Sequence, residues 1–210
     1  MDILSFLRTQ LGQDESGHDE AHALRVLEFA KNIHEKEGGD WPYIEGCALL
    51  HDCIDSKLGL DNQDQEAKVY ECLVENGYSA EKAARMLMTM KRMSFHLHDE
   101  EALTLEDKIV RDADRLDALG RVGARRALEY GKSRNRPLFS PQNLIEIDMG
   151  LVPSGESTIA HFFEKLLILD KYLYTDAAKR MAVSLKAELI ECLKELYEER
   201  GLTLDPDCLP

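Results

Sequence analysis

Residues 47–55 read CALLHDCID, and the architecture is clearest when traced outward from them. His51 and Asp52 are adjacent at the end of a short apolar run, and Ile44, Cys47, Ala48, His51 and Asp55 share one face at helical spacing. That face is otherwise apolar, so a helix here turns an imidazole and a carboxylate inward. A carboxylate removed from water needs a compensating partner. Two readings follow, a satisfied core pair or a cation site, and the rest of the chain separates them.

Outward from this stretch the text is helical. Asp40 before Trp41-Pro42 reads as an N-cap with proline in the first turn, opening the helix that carries His51 and Asp52. Upstream, a helix over about 18–37 stops at Gly38-Gly39, where glycine suits a left-handed cap. Its apolar stripe, Val26, Phe29, Ala30 and Ile33, includes His22 and leaves Arg25 on the flank. Residues 2–12 suit a short amphipathic helix. Downstream, helices are expected over 63–76, from Ser79 as cap to Arg92, over 103–118, and through RVGARRALEYG to Gly131. The segment KSRNRPLFSPQNLIEIDMGLVPSGES is rich in proline and glycine and reads as the longest loop. Ser154 or Ser157 then starts TIAHFFEKLLILDKYL, and Asp176 opens a last long helix ending near Gly201. No stretch alternates like a strand and no repeat is visible. The fold class is all-α, a single helical bundle over residues 1–210, with a core at about 16–132 and C-terminal helices at about 157–200 packing on it.

Composition narrows the function. The net charge of −14 argues against nucleic-acid polymers or anionic membranes as partners. An anionic small substrate stays open if a metal or a basic cluster reverses the field in one cleft. The five cysteines are scattered with no CxxC, as in a reduced, cytoplasmic protein. No segment approaches a membrane span, and the N-terminus lacks the pattern of a signal peptide.

Three inward polar sites therefore need a common explanation: His22, His51-Asp52, and the acidic run RDADRLD at 111–117. Two imidazoles and two carboxylates from three helices can hold one divalent cation, with mixed N and O ligands suiting Mn, Mg, Fe, Co, Ni or Zn. On a six-coordinate ion two positions stay open, one for water and one for a phosphoryl oxygen.

The order H…HD…D, together with GHDEAHALRV, ALLHDCID, KIVRDADRLDALG and HFFEKLL, resembles the HD superfamily of metal-dependent phosphohydrolases. Among these, the text is most similar to the small bacterial enzymes of the YpgQ type, described as nucleotide pyrophosphohydrolases. The resemblance covers roughly residues 16–200. It implies His22, His51, Asp52 and Asp114 as metal ligands. Asp114 is preferred over Asp112 because it holds the Ala-Asp-Arg-Leu step, which leaves Asp112 and Asp117 as outer acceptors or helix-pairing charges.

Asp55, one turn after the His-Asp pair, can orient or deprotonate the attacking water, so the catalytic candidates are Asp55, His51 and Asp52. A solvated residue at a helix end is the competing reading of Asp55. Candidate substrate contacts are His18, Arg25, Lys91, Lys108, His161 and Lys165, each weighed against a solvated surface side chain. Arg134 and Arg136 can clamp distal phosphates. His96 and His98 offer a second metal site, but side chains two apart on a helix diverge by about 200°.

The resemblance implies hydrolysis of (deoxy)nucleoside triphosphates to monophosphate and pyrophosphate. The rivals are a phosphomonoesterase acting on a nucleoside monophosphate or other small phosphate ester, and a non-catalytic module that senses nucleotide or metal. A homodimer is a further expectation, if apolar helix faces are exposed.

Overall fold

The computed structural model describes residues 1–11, 19–54, 62–93 and 103–210. Among them every regular element is helical. The chain divides into two compact units, Met1–Asp114 and Arg115–Pro210.

The first unit is organised around α3 (Trp41–Leu50). Asp40 caps it by accepting the Tyr43 N–H at 3.4 Å, and Pro42 sits in the first turn where no intrahelical N–H is required. Tyr43, Ile44, Gly46, Cys47, Ala48, Leu49 and Leu50 are all buried, the pattern of a helix enclosed on every side. Against it pack α1 (Ile3–Leu11), α2 (Glu20–Glu37) and α5 (Ala80–Lys91), and α4 (Asn62–Glu75) packs on α5. α3 and α5 approach closely at Gly46, where a Cβ would lie 2.4 Å from Met86 Cε and 3.0 Å from the Tyr78 hydroxyl. Asp19 caps α2 through the His22 N–H at 2.7 Å, and positive φ at Gly38 and Gly39 ends it. The sixth helix, α6 (Leu105–Asp117), begins in this unit and ends in the next.

In the second unit α7 (Gly120–Ser133) packs against α9 (Thr158–Glu164) and α10 (Asp176–Glu198). At Gly131 a Cβ would meet Thr158 Oγ1 at 2.2 Å, so glycine sets how closely α7 and α9 meet. Two expectations are corrected here. The proline-rich segment is not one long loop, for it contains α8 (Pro141–Asp148), started by a reciprocal Ser140–Asn143 capping box with Pro141 in the first turn. The helix expected over 158–173 breaks at Lys165, whose φ of −133° leaves the α region, and it resumes as a 3₁₀ stretch over Leu166–Tyr172. Ser157, not Ser154, caps α9, and Thr175 caps α10.

Candidate metal centre

Three segments of the first unit deliver the polar residues singled out in the sequence. α2 presents His22 one turn after its cap, and α6 presents Asp114. His51 and Asp52 do not extend α3 but form a 3₁₀ turn, His51–Ile54, directly after it. The tighter coil, with about three residues per turn, rotates these two neighbours differently from an α-helix. Both then reach the same cluster.

His22 Nε2 lies 3.2 Å from His51 Nε2, 3.2 Å from Asp52 Oδ2 and 3.5 Å from Asp114 Oδ1. His51 Nε2 lies 3.4 Å from Asp52 Oδ1 and 3.8 Å from Asp114 Oδ1. Atoms bound about 2.0–2.2 Å from one cation stand about 3–3.5 Å apart when adjacent in its coordination sphere. The cluster therefore has the spacing of a ligand set. His22, His51 and Asp114 each direct one donor atom into a common space, while Asp52 spans both imidazoles with its two oxygens.

The imidazole of His51 is oriented for this. Its Nδ1 is 2.9 Å from the Ala48 carbonyl, which can only accept, so Nδ1 carries a proton and Nε2 is the ring nitrogen turned to the cluster. Burial pushes the Asp114 carboxyl up, but the hydrogen bond from His22 and the charges of the two imidazoles outweigh it and hold the group below its ordinary value. Asp114 is thus anionic at neutral pH. The imidazoles are 2% exposed and the Asp52 side chain 10%, whereas the Asp114 side chain is 36% exposed, so the cluster is reached from the Asp114 side. Two imidazole nitrogens and two carboxylates suit a divalent cation of intermediate to hard character.

Asp112 is fully buried, and Asp117 pairs with Arg126 at 2.6 Å in the second unit. Arg25 is half-buried one turn after His22. Lys91 is an exposed residue held by Glu66 at 2.9 Å. Lys108 is half-buried on α6 and, six residues before Asp114, diverges from it by about 120° around the helix. His161 and Lys165 belong to the second unit, together with Arg136. Burial and the charges of Lys165 and Arg136 lower the pKa of His161 to about 4. Arg134 and Arg136 both lie over the Tyr130 ring, at 5.4 and 6.0 Å. His18, Asp55, His96 and His98 lie outside the described residues. The Ala48 carbonyl was not foreseen, since main-chain acceptors leave no trace in side-chain patterns.

Comparison with known proteins agrees with this geometry. Residues 20–119, which include all four converging side chains, match the model of the HD domain family. The chain is 34% identical over 200 residues to YpgQ of Bacillus subtilis, covering 94% of this chain and 91% of that protein. The crystal structure of Bacillus subtilis YpgQ in complex with ADP superposes with a TM-score of 0.75 at 33% identity, covering 94% of this chain and 95% of that one. An HD-superfamily hydrolase from Bacillus thuringiensis gives a TM-score of 0.73 at 32% identity, with 95% of each chain covered. With this likeness running along nearly its whole length, the chain belongs to the HD family of metal-dependent phosphohydrolases.

Proposed function

We propose that the protein hydrolyses (deoxy)nucleoside triphosphates to the monophosphate and pyrophosphate. The observation that carries this reading is the partly exposed four-residue cluster in a chain similar to YpgQ, which has been crystallised with ADP. His22, His51, Asp52 and Asp114 are the proposed ligands of one divalent cation, with manganese the first to test. When bound, such a cation supplies a water of lowered pKa and a Lewis acid for a phosphoryl oxygen.

The chain's own residues do the rest. The Ala48 carbonyl holds the His51 ring in one orientation, and Asp114, its carboxyl kept below the ordinary value, holds negative charge in the site. Asp55 is the proposed acceptor of the water proton. Water oxygen bonds to the α-phosphorus, the bond to the bridging oxygen breaks, and pyrophosphate leaves with that oxygen. His18, Arg25, Lys91, Lys108, His161 and Lys165 are the proposed contacts for substrate charge. For Lys91 this requires exchange of its Glu66 partner for phosphate.

A cytoplasmic setting is supported by the five free cysteines. No helix among the described residues is long and apolar enough to cross a membrane. A homodimer is supported by the exposed apolar run Leu144, Ile145, Met149, Leu151 and Val152, and light scattering in solution tests it. For activity, a metal-by-nucleotide screen with product identification is the test. Pyrophosphate from a triphosphate is the expected result. Orthophosphate from a monophosphate overturns it in favour of a phosphomonoesterase, and metal binding without turnover points to a sensor.

A further inference from the structure

Away from the metal cluster, the first unit buries a second polar constellation. Tyr43 on α3, Thr89 on α5 and Asp107 on α6 are 3%, 4% and 6% exposed. Asp107 forms a reciprocal cap with Thr104 at the start of α6. Its Oδ2 accepts the Thr104 N–H at 2.9 Å, and its own N–H donates to Thr104 Oγ1 at 3.3 Å. Its other oxygen accepts a short hydrogen bond from the Thr89 hydroxyl. With that proton committed to the carboxylate, the Thr89 oxygen accepts from the Tyr43 hydroxyl at 2.7 Å. One directional chain thus runs from α3 through α5 to α6, and burial of its phenol pushes the Tyr43 pKa up to about 12, so the hydroxyl keeps its proton. A helix cap needs only the bonds to Thr104. It does not need a tyrosine and a threonine from two other helices.

We infer that Tyr43, Thr89 and Asp107 are positioning residues for the metal centre, fixing the register of α6 against α3. Asp107 and Asp114 are seven residues apart on α6, nearly two full turns and so on almost the same face. Tyr43 and His51 stand at opposite ends of α3 and its 3₁₀ extension. Each helix is a rigid lever with one clasp residue near its start and one ligand near its end. The apolar contacts between such helices are non-directional and tolerate sliding, whereas a functional constellation must be held to about 0.5 Å. A chain of hydrogen bonds supplies that definition. A second tie acts in the same sense, for the Asp40 N–H at the α3 cap donates to Glu106 Oε1 at 3.0 Å. Placing a carboxylate here costs desolvation, which an apolar side chain would avoid. The inference rests on the proposed ligand set.

The test is Mn2+ affinity by calorimetry on the full-length, metal-stripped protein, alongside the melting temperature of the same sample. Tyr43→Phe and Thr89→Val are expected to weaken Mn2+ binding about tenfold, as for loss of an outer partner of a metal site. Thr89→Ser, which keeps the hydroxyl, restores it. A control, Leu11→Ala, lowers the melting temperature through a cavity in the same unit and leaves the affinity unchanged. If Tyr43→Phe and Thr89→Val bind Mn2+ within twofold of wild type, the positioning role is overturned. Asp114→Ala separates the two levels. Lost binding there with unchanged binding in the clasp variants removes only this inference, and unchanged binding in Asp114→Ala removes the ligand set and the inference together.

Discussion

Glu146 in the second unit and the His22–His51–Asp52–Asp114 cluster in the first both place carboxylate oxygen below the surface, and they are satisfied in different ways. Glu146 is 8% exposed and collects four donors from its own neighbourhood. They are the Ser154 N–H at 3.0 Å, the Ser154 hydroxyl at 2.8 Å, Asn143 Nδ2 at 3.1 Å and Gln142 Nε2 at 3.2 Å. These bonds hold its pKa at about 2. They also close the turn between α8 and Ser154. In the cluster, by contrast, two imidazole nitrogens and two carboxylates face one another from three chain segments. A carboxylate completed by its own chain is architecture, while imidazoles and carboxylates gathered around a common space are the donor types that suit a divalent cation.

Asp52→Ala tests the cation side of this contrast most severely. Turnover of the best nucleotide is expected to fall at least about 100-fold, the scale of losing a transition-state electrostatic contact, and Mn2+ content by mass spectrometry should fall with it. Retention of both would remove the ligand assignment. Next in size is metal-linked stability. Wild type at a Mn2+ concentration 100 times its Kd should gain about 2.7 kcal/mol over the stripped protein, and Asp114→Ala should gain nothing, as read by denaturant titration.

Glu146→Gln should behave in the opposite manner, lowering the melting temperature by a few degrees while leaving Mn2+ affinity within twofold of wild type. Its pH dependence has a definite sign. The folded carboxyl titrates near 2 against an ordinary 4.5, so its contribution is complete above pH 4.5 and drains away as the pH falls towards 2. The Gln variant should show a flatter acid limb over that window. The smallest effect belongs to His161, whose folded pKa is about 4 against an ordinary 6.5. The unfolded chain takes up this proton first, so stability declines as pH drops from 6.5 to 4, and His161→Asn should lessen that decline. Proton NMR of the ring gives the folded value directly.

Helix starts and stops were legible wherever local chemistry marked them: Asp40 with Pro42, Ser79, and the two glycines after α2, while two serines competed for the start of α9. α8 escaped because its proline reads as a breaker although it occupies the first turn, and because Leu144 and Ile145 face solvent and leave no buried stripe. The break at Lys165 escaped because 3₁₀ and α spacing of apolar residues are indistinguishable over so short a run. In the site, the histidines and aspartates were readable as inward polar positions on apolar faces, and the structure brings His22, His51, Asp52 and Asp114 together. The clasp was not readable. Thr104-x-x-Asp107 carries a capping signature, but Tyr43 and Thr89 join it through folding of distant segments.

The wide spacing of the cluster along the chain bears on how the protein is born. His22 and Asp114 are separated by nearly half of the sequence, and the His51-Asp52 pair falls between them. At about 5–20 residues per second, a ribosome needs several seconds to travel from the first codon of the set to the last. During that interval the nascent chain holds His22 and the His51-Asp52 pair without the fourth side chain of the set. The proposed set is therefore complete only once Asp114, the last residue of the first compact unit, has been made.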